Sequence, residues 1–113
     1  MISTHVLDTA RGKPAAGVRV VLEHLDPDGA SLLGREISRG ETDADGRIRE
    51  LSPAVLAAGR YRLVFDTGAY FAGLGVDGFY PQVVVVFVVR DVTQHYHVPV
   101  LLSPFGYATY RGT

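Results

Sequence analysis

QHYHVPVLLSPFGYATYRGT, residues Gln94 to Thr113, reads as two strands, His95–Leu102 and Tyr107–Arg111, separated by a Ser103-Pro104 turn. On an unbroken strand, side chains two apart share a face, so His95 and His97 point the same way. The segment finishes in Tyr110-Arg111-Gly112-Thr113: an aromatic ring, a cation, a flexible glycine and a hydroxyl beside the terminal carboxylate. Chain ends ordinarily fray. One that gathers these groups within reach of a single ligand is expected to fold back into a polar pocket where chemistry takes place.

The same short-strand pattern extends toward the N-terminus. Pro81–Val89 is rich in valine over most of its length, which predicts a strand buried on both faces and ended by Arg90. Thr67–Leu74 is the best helix, with Thr67 as N-cap and Gly75 as its stop. Tyr61–Phe65 reads as a strand and Pro53–Ala58 as one helical turn. Asp43-Ala44-Asp45-Gly46 makes a turn that delivers Arg47 to the mouth of a short strand running to Leu51. Leu32–Ser38 is a weaker, edge-type strand after a Pro27-Asp28-Gly29 turn. In Val18–Glu23, Val18, Val20 and Leu22 take one face while Arg19 and Glu23 take the other. Ile2–Leu7 is the first strand, ended by a polar turn over Asp8–Lys13. About eight short strands at regular spacing with one short helix predict an all-β sandwich, formed as one domain over residues 1–113.

A chain of 113 residues buries about two-thirds of the surface its unfolded form exposes. Its 47% hydrophobic and 20% charged content predicts a packed core rather than disorder. A formal charge of −1 lacks the basic footprint that nucleic acid requires. With no cysteine, disulfides and thiolate metal sites are excluded. The opening MISTHVLDTARG turns polar too soon for a secretory or membrane segment, and the longest apolar run, Val83–Val89, is of strand length. A cytoplasmic location without a membrane partner is expected.

Several residue groups invite a chemical reading. His5, His95 and His97 have the chemistry of zinc ligands, but the spacing announces neither a further ligand nor an orienting carboxylate, so no metal is expected. His24, beside a turn, reads as an ordinary half-buried or exposed side chain. Glu41-x-Asp43-x-Asp45-Gly46 imitates the start of a calcium loop, yet its closing bidentate position falls on Ser52, which cannot serve; it is a turn. Ser103 lacks the G-x-S-x-G elbow of a serine nucleophile. Two classes stay open on the residues alone: a hydrolase whose histidines and Arg47 activate water, and a binding module.

Ser3-Thr4-His5-Val6-Leu7-Asp8, followed by Gly12-x-Pro14-Ala15 and Gly17-Val18, resembles the opening of the transthyretin-like 5-hydroxyisourate hydrolases. Asp45-Gly46-Arg47 and Phe79-Tyr80-Pro81-x-Val83 resemble internal motifs of that family, and HYHVPVLLSPFGYATYRGT resembles its end signature, which normally closes in serine. The resemblance runs in order over nearly the whole chain. It implies a transthyretin-like (prealbumin-like) sandwich of two sheets. The family's hormone-carrier branch has other residue types where this chain keeps His5, Arg47, His97 and Tyr110-Arg111-Gly112, which favours the hydrolases; a non-catalytic small-molecule carrier is the alternative. Two positions depart from the pattern: Thr113 replaces serine, retaining the hydroxyl but adding a methyl, and Gln82 replaces a glutamate.

The resemblance implies hydrolysis of 5-hydroxyisourate, a product of urate oxidation, at a ring acyl C–N bond. The product is 2-oxo-4-hydroxy-4-carboxy-5-ureidoimidazoline. His97 is expected as the base, with His95 as the alternative. Arg47 would bind substrate and stabilise the oxyanion, and His5 would polarise the substrate or carry a proton to the leaving nitrogen. Thr113, through hydroxyl or carboxylate, would orient the water or His97, while Tyr110 and Arg111 bind an anionic purine derivative. No cofactor is implied. The expected assembly is a homotetramer, a dimer of edge-paired dimers with sites at the subunit interface.

Overall fold

The computed structural model describes residues 1–25 and 33–113. Nine strands and one helix are present among them: β1 (Ile2–Asp8), β2 (Lys13–Pro14), β3 (Arg19–Leu25), β4 (Gly34–Glu41), β5 (Arg47–Ile48), β6 (Gly59–Phe65), α1 (Thr67–Gly73), β7 (Val83–Val89), β8 (Tyr96–Ser103) and β9 (Gly106–Thr109). One sheet runs β2-β1-β8-β9 with β5 also on β1; the other runs β4-β3-β6-β7. The Pro27-Asp28-Gly29 turn, and Leu32 at the start of the weak strand, lie outside the described residues. That strand begins instead at Gly34, on the sheet edge as expected.

Alternation builds the core between the sheets. Val18, Val20 and Leu22 are fully buried and meet Leu63, Phe65 and Val83 from the same sheet, with Ile2, Val6, Val100 and Leu102 opposite. Outward on β3, Glu23 faces Arg62 of β6 in register and receives its Nε at 2.7 Å. Cross-strand pairs of this kind contribute roughly 0.2–1 kcal/mol.

Three expectations are corrected. Pro81–Val89 is not buried on both faces: β7 starts at Val83, Val83, Val85 and Val89 point inward, and Val84, Val86 and Val88 are 39–51% exposed. The reason is its place at the edge of an antiparallel sheet whose outer side, among the described residues, has no covering layer. Residues 53–58 form bends rather than a helical turn. Asp66, not Thr67, caps α1: its Oδ1 accepts from the Ala69 amide at 3.2 Å, whereas Thr67 is buried with Oγ1 donating to the Tyr80 carbonyl. The chain leaves the helix through Leu74 and Gly75. Among the described residues, no helix is long and apolar enough to cross a membrane.

The β1–β8 pairing brings the two ends of the chain together. It is parallel, and its register sets Ser3 against His97 and His5 against Pro99. A parallel pair cannot be closed by a tight turn, so strands far apart in sequence are joined here.

Candidate active site

On β1, Ile2, Thr4, Val6 and Asp8 are buried, the apolar ones among them in the core, so Ser3, His5 and Leu7 take the opposite, outward face. On β8, Tyr96, Val98, Val100 and Leu102 are buried, leaving His97, Pro99 and Leu101 outward beside them. Arg47 joins this face from β5, directly opposite His5. The outer surface of the first sheet therefore carries the cationic and imidazole groups.

A turn fixes Arg47. The Asp43 carboxylate accepts from the amides of Asp45 (2.9 Å) and Arg47 (3.0 Å) and from the Arg49 guanidinium at 2.9 Å. These bonds, the Arg47 amide first, hold the Asp43 carboxyl below its ordinary range. The carboxylate thus serves the turn, as read from the sequence. Gly46 sits at φ +75°, and a Cβ there would lie 2.5 Å from the Val6 carbonyl oxygen. The same closeness lets the Val6 amide bond Gly46 O at 2.8 Å, clamping the turn to β1.

An open cleft of about 400 Å³ lies over this face, its walls including Ser3, Arg47, Arg49, Glu50, His95, His97 and Thr113. Ser3 Oγ is 2.8 Å from both His95 Nε2 and His97 Nδ1. Gly112 pairs with His97, its amide donating to the His97 carbonyl at 2.8 Å. A Cβ on Gly112 would lie 2.6 Å from the ring carbon Cδ2 of His97, so a glycine is needed beside the imidazole.

Burial, then the positive charge of Arg47, lowers the His97 pKa from its ordinary 6.5, with His5 and His95 adding to the effect. Burial and then Arg47 also lower that of His5, against a raising backbone hydrogen bond at Asp45. Both rings are therefore neutral at neutral pH and able to accept a proton. Among the described residues, no group of three or more histidine, cysteine or acidic side chains is placed to hold a metal.

Of the residues singled out from the sequence, Arg47, His95, His97 and Thr113 line the cleft. His5 is not a wall residue but lies close enough for its charge to act on His97. Tyr110 and Arg111 are elsewhere: they line a neighbouring cavity of about 300 Å³ with Phe87, Arg90 and Tyr96. Arg111 lies 4.5 Å from the Tyr96 ring centroid and donates to Gln94 Oε1 at 2.9 Å. His24 stacks on Tyr61 at 4.5 Å between ring centroids, consistent with its plain reading. Sequence reasoning gave no role to Ser3, Arg49 or Glu50. For Ser3 a signal existed: alternation along β1 puts it on the same face as His5.

Comparison with known proteins identifies the family of the chain. Residues 2–112 match the model of the HIUase/Transthyretin family. The chain is 47% identical to a 5-hydroxyisourate hydrolase of Salmonella dublin over 114 aligned positions, covering 100% of this chain and 81% of the relative. Among solved structures it resembles Klebsiella pneumoniae 5-hydroxyisourate hydrolase (TM-score 0.83, 40% identity, covering 99% of this chain and 98% of that one). It also resembles sea bream transthyretin in complex with thyroxine (TM-score 0.89, 34% identity, 99% and 94% covered). The fold is shared by both, and with a family match over nearly its full length this chain belongs to the HIUase/Transthyretin family.

Proposed function

We infer that this protein hydrolyses 5-hydroxyisourate to the ureidoimidazoline product in urate catabolism. The observation that carries the reading is the meeting of Arg47 and His97 in one cleft, with His5 alongside, in a chain 47% identical to a hydrolase of that name.

The reaction needs a nucleophilic water, a stabilised oxyanion and a proton for the departing nitrogen. His97, neutral because burial and Arg47 depress its pKa, takes the proton of the attacking water. Arg47, permanently cationic, binds the substrate carbonyl and stabilises the developing oxyanion. His5, facing Arg47 across the β1–β5 pair, polarises the substrate or supplies the leaving-group proton. The Thr113 hydroxyl orients the water or His97. Tyr110 and Arg111 add an aromatic wall and positive charge for an anionic substrate. They line the neighbouring cavity in the single chain, so their part in binding belongs to the assembled protein. No cofactor enters this scheme.

The assembly that fits is a homotetramer, working in the cytoplasm, with sites between subunits. Its support is the outward position of the cleft and, among the described residues, the unpaired edges of β7 and β9. The test is to generate 5-hydroxyisourate freshly with urate oxidase and follow its ultraviolet decay with and without the protein and a chelator. Accelerated, chelator-insensitive decay is expected. Unaccelerated decay would leave a small-molecule carrier in its place.

A further inference from the structure

The tandem histidines pose a question that the hydrolase reading, on which this inference rests, leaves open: how the proton is divided between them. Ser3 is 5% exposed, and its Oγ lies 2.8 Å from His95 Nε2 and 2.8 Å from His97 Nδ1. A hydroxyl carries one proton and two lone pairs. It can donate to one ring only, and if both rings donated, the proton of this buried hydroxyl would have no acceptor among the bonds described; one ring therefore accepts from it and the other donates to it. The two tautomers are therefore tied together. If Ser3 donated to His97 Nδ1, the ring's proton would sit on Nε2 and nothing could be accepted there. If His97 Nδ1–H donates to Ser3, and Ser3 donates to His95 Nε2, the His97 Nε2 lone pair is free.

We propose that Ser3 is a positioning residue that holds His97 with a basic Nε2 and relays a proton from His97 to His95 during turnover. When Nε2 takes the proton of the attacking water, the Nδ1–H proton passes to Ser3 Oγ and the hydroxyl's own proton passes to His95 Nε2. One N–H and one O–H bond break, and one O–H and one N–H bond form. A single positive charge moves from one ring to the other, and no further reactant is consumed. When Nε2 later gives up its proton, the reverse shift restores the resting tautomers. The direction follows from the surroundings. His95 is exposed, with the Arg111 guanidinium 3.4 Å from its carbonyl oxygen, whereas His97 is half-buried and feels the permanent charge of Arg47; Met1, Arg49, Glu50 and Thr113 also line the cleft. Water solvates a charge on exposed His95 better than one on half-buried His97.

The test combines kinetics across pH with nitrogen-15 spectra of the histidine side chains in wild type, Ser3→Ala, Ser3→Thr, His95→Gln and the Ser3→Ala/His95→Gln double variant. The expected resting tautomer of His97 is Nδ1–H, blurred to a mixture in Ser3→Ala. Ser3→Ala should lower kcat by about 10- to 100-fold with KM little changed, and Ser3→Thr, which keeps the hydroxyl, should restore most of it. The double variant should be no slower than the slower single one, as for residues acting as a unit. An Nε2–H tautomer at rest, or Ser3→Ala with wild-type kcat and an unmoved acidic limb, would overturn the relay. The wild-type spectrum needs no variant to fold. It also judges the Ser3 bridge even if the wild type fails to accelerate 5-hydroxyisourate decay, the result that would sink the hydrolase reading instead.

Discussion

His97 works under two constraints: partial burial beside Arg47 keeps it neutral, and Gly112 leaves its ring room. His97→Asn removes the proposed base while keeping a similar volume, so kcat is expected to fall by about 10²–10⁴-fold with assembly unchanged; stopped-flow decay and light scattering measure both. Because the His97 pKa lies below its ordinary 6.5, kcat/KM should hold through neutral pH and drop only once the solution is more acidic than that value. The sign for stability is the same. His5 and His97 have folded values below their unfolded ones, so the folded state binds fewer protons in the window between them. Stability is then full above about pH 6.5 and declines as pH falls through the lowered values, which denaturant titrations between neutral and mildly acidic pH will register. An acidic limb centred above 6.5 would contradict the environment assigned to His97.

The elements that carry these side chains are held by close backbone approaches, and here the two glycines separate stability from activity. Gly46→Ala puts a side chain at φ +75° and against the Val6 carbonyl, and should cost more than about 2 kcal/mol in a thermal or denaturant unfolding experiment. Gly112→Ala crowds the His97 ring and Pro99 at the chain end, so activity should fall well before stability does. The strands themselves differ in how openly the sequence announces them. β3 was legible because Val18, Val20 and Leu22 share one face while the charged Arg19 and Glu23 take the other. β7 was legible as a strand but not in its exposure: a run of valines has no polar partner to mark the outward face, and edge position depends on which strands arrive elsewhere. The α1 cap was misplaced by one residue because Asp66 and Thr67 are both good capping types, and burial of Thr67 decided between them. Alternation along β1 placed Ser3 on the His5 face, but its partners were unreadable, since a strand more than ninety positions away brings the two imidazoles to its hydroxyl.

For the molecule as a whole, the outward-facing cleft and exposed valine edge set the expectation for assembly. Light scattering should return four times the chain mass. Specific activity should decline with dilution in step with dissociation, and a fully active monomer would contradict sites shared between subunits. Core packing is a separate axis: Leu63→Ala, at a fully buried position, should cost about 2–5 kcal/mol without altering the catalytic pH profile.

The parallel union of β1 with β8 has a kinetic corollary. Joining segments so remote in sequence must await closure of a very long loop, and contacts of that kind form slowly. On dilution from denaturant, spectroscopic recovery of the β4-β3-β6-β7 sheet, whose strands lie nearer one another along the chain, should run ahead of regained turnover. The enzyme would then be competent only at its final folding step, with no partly active intermediate to misread as native.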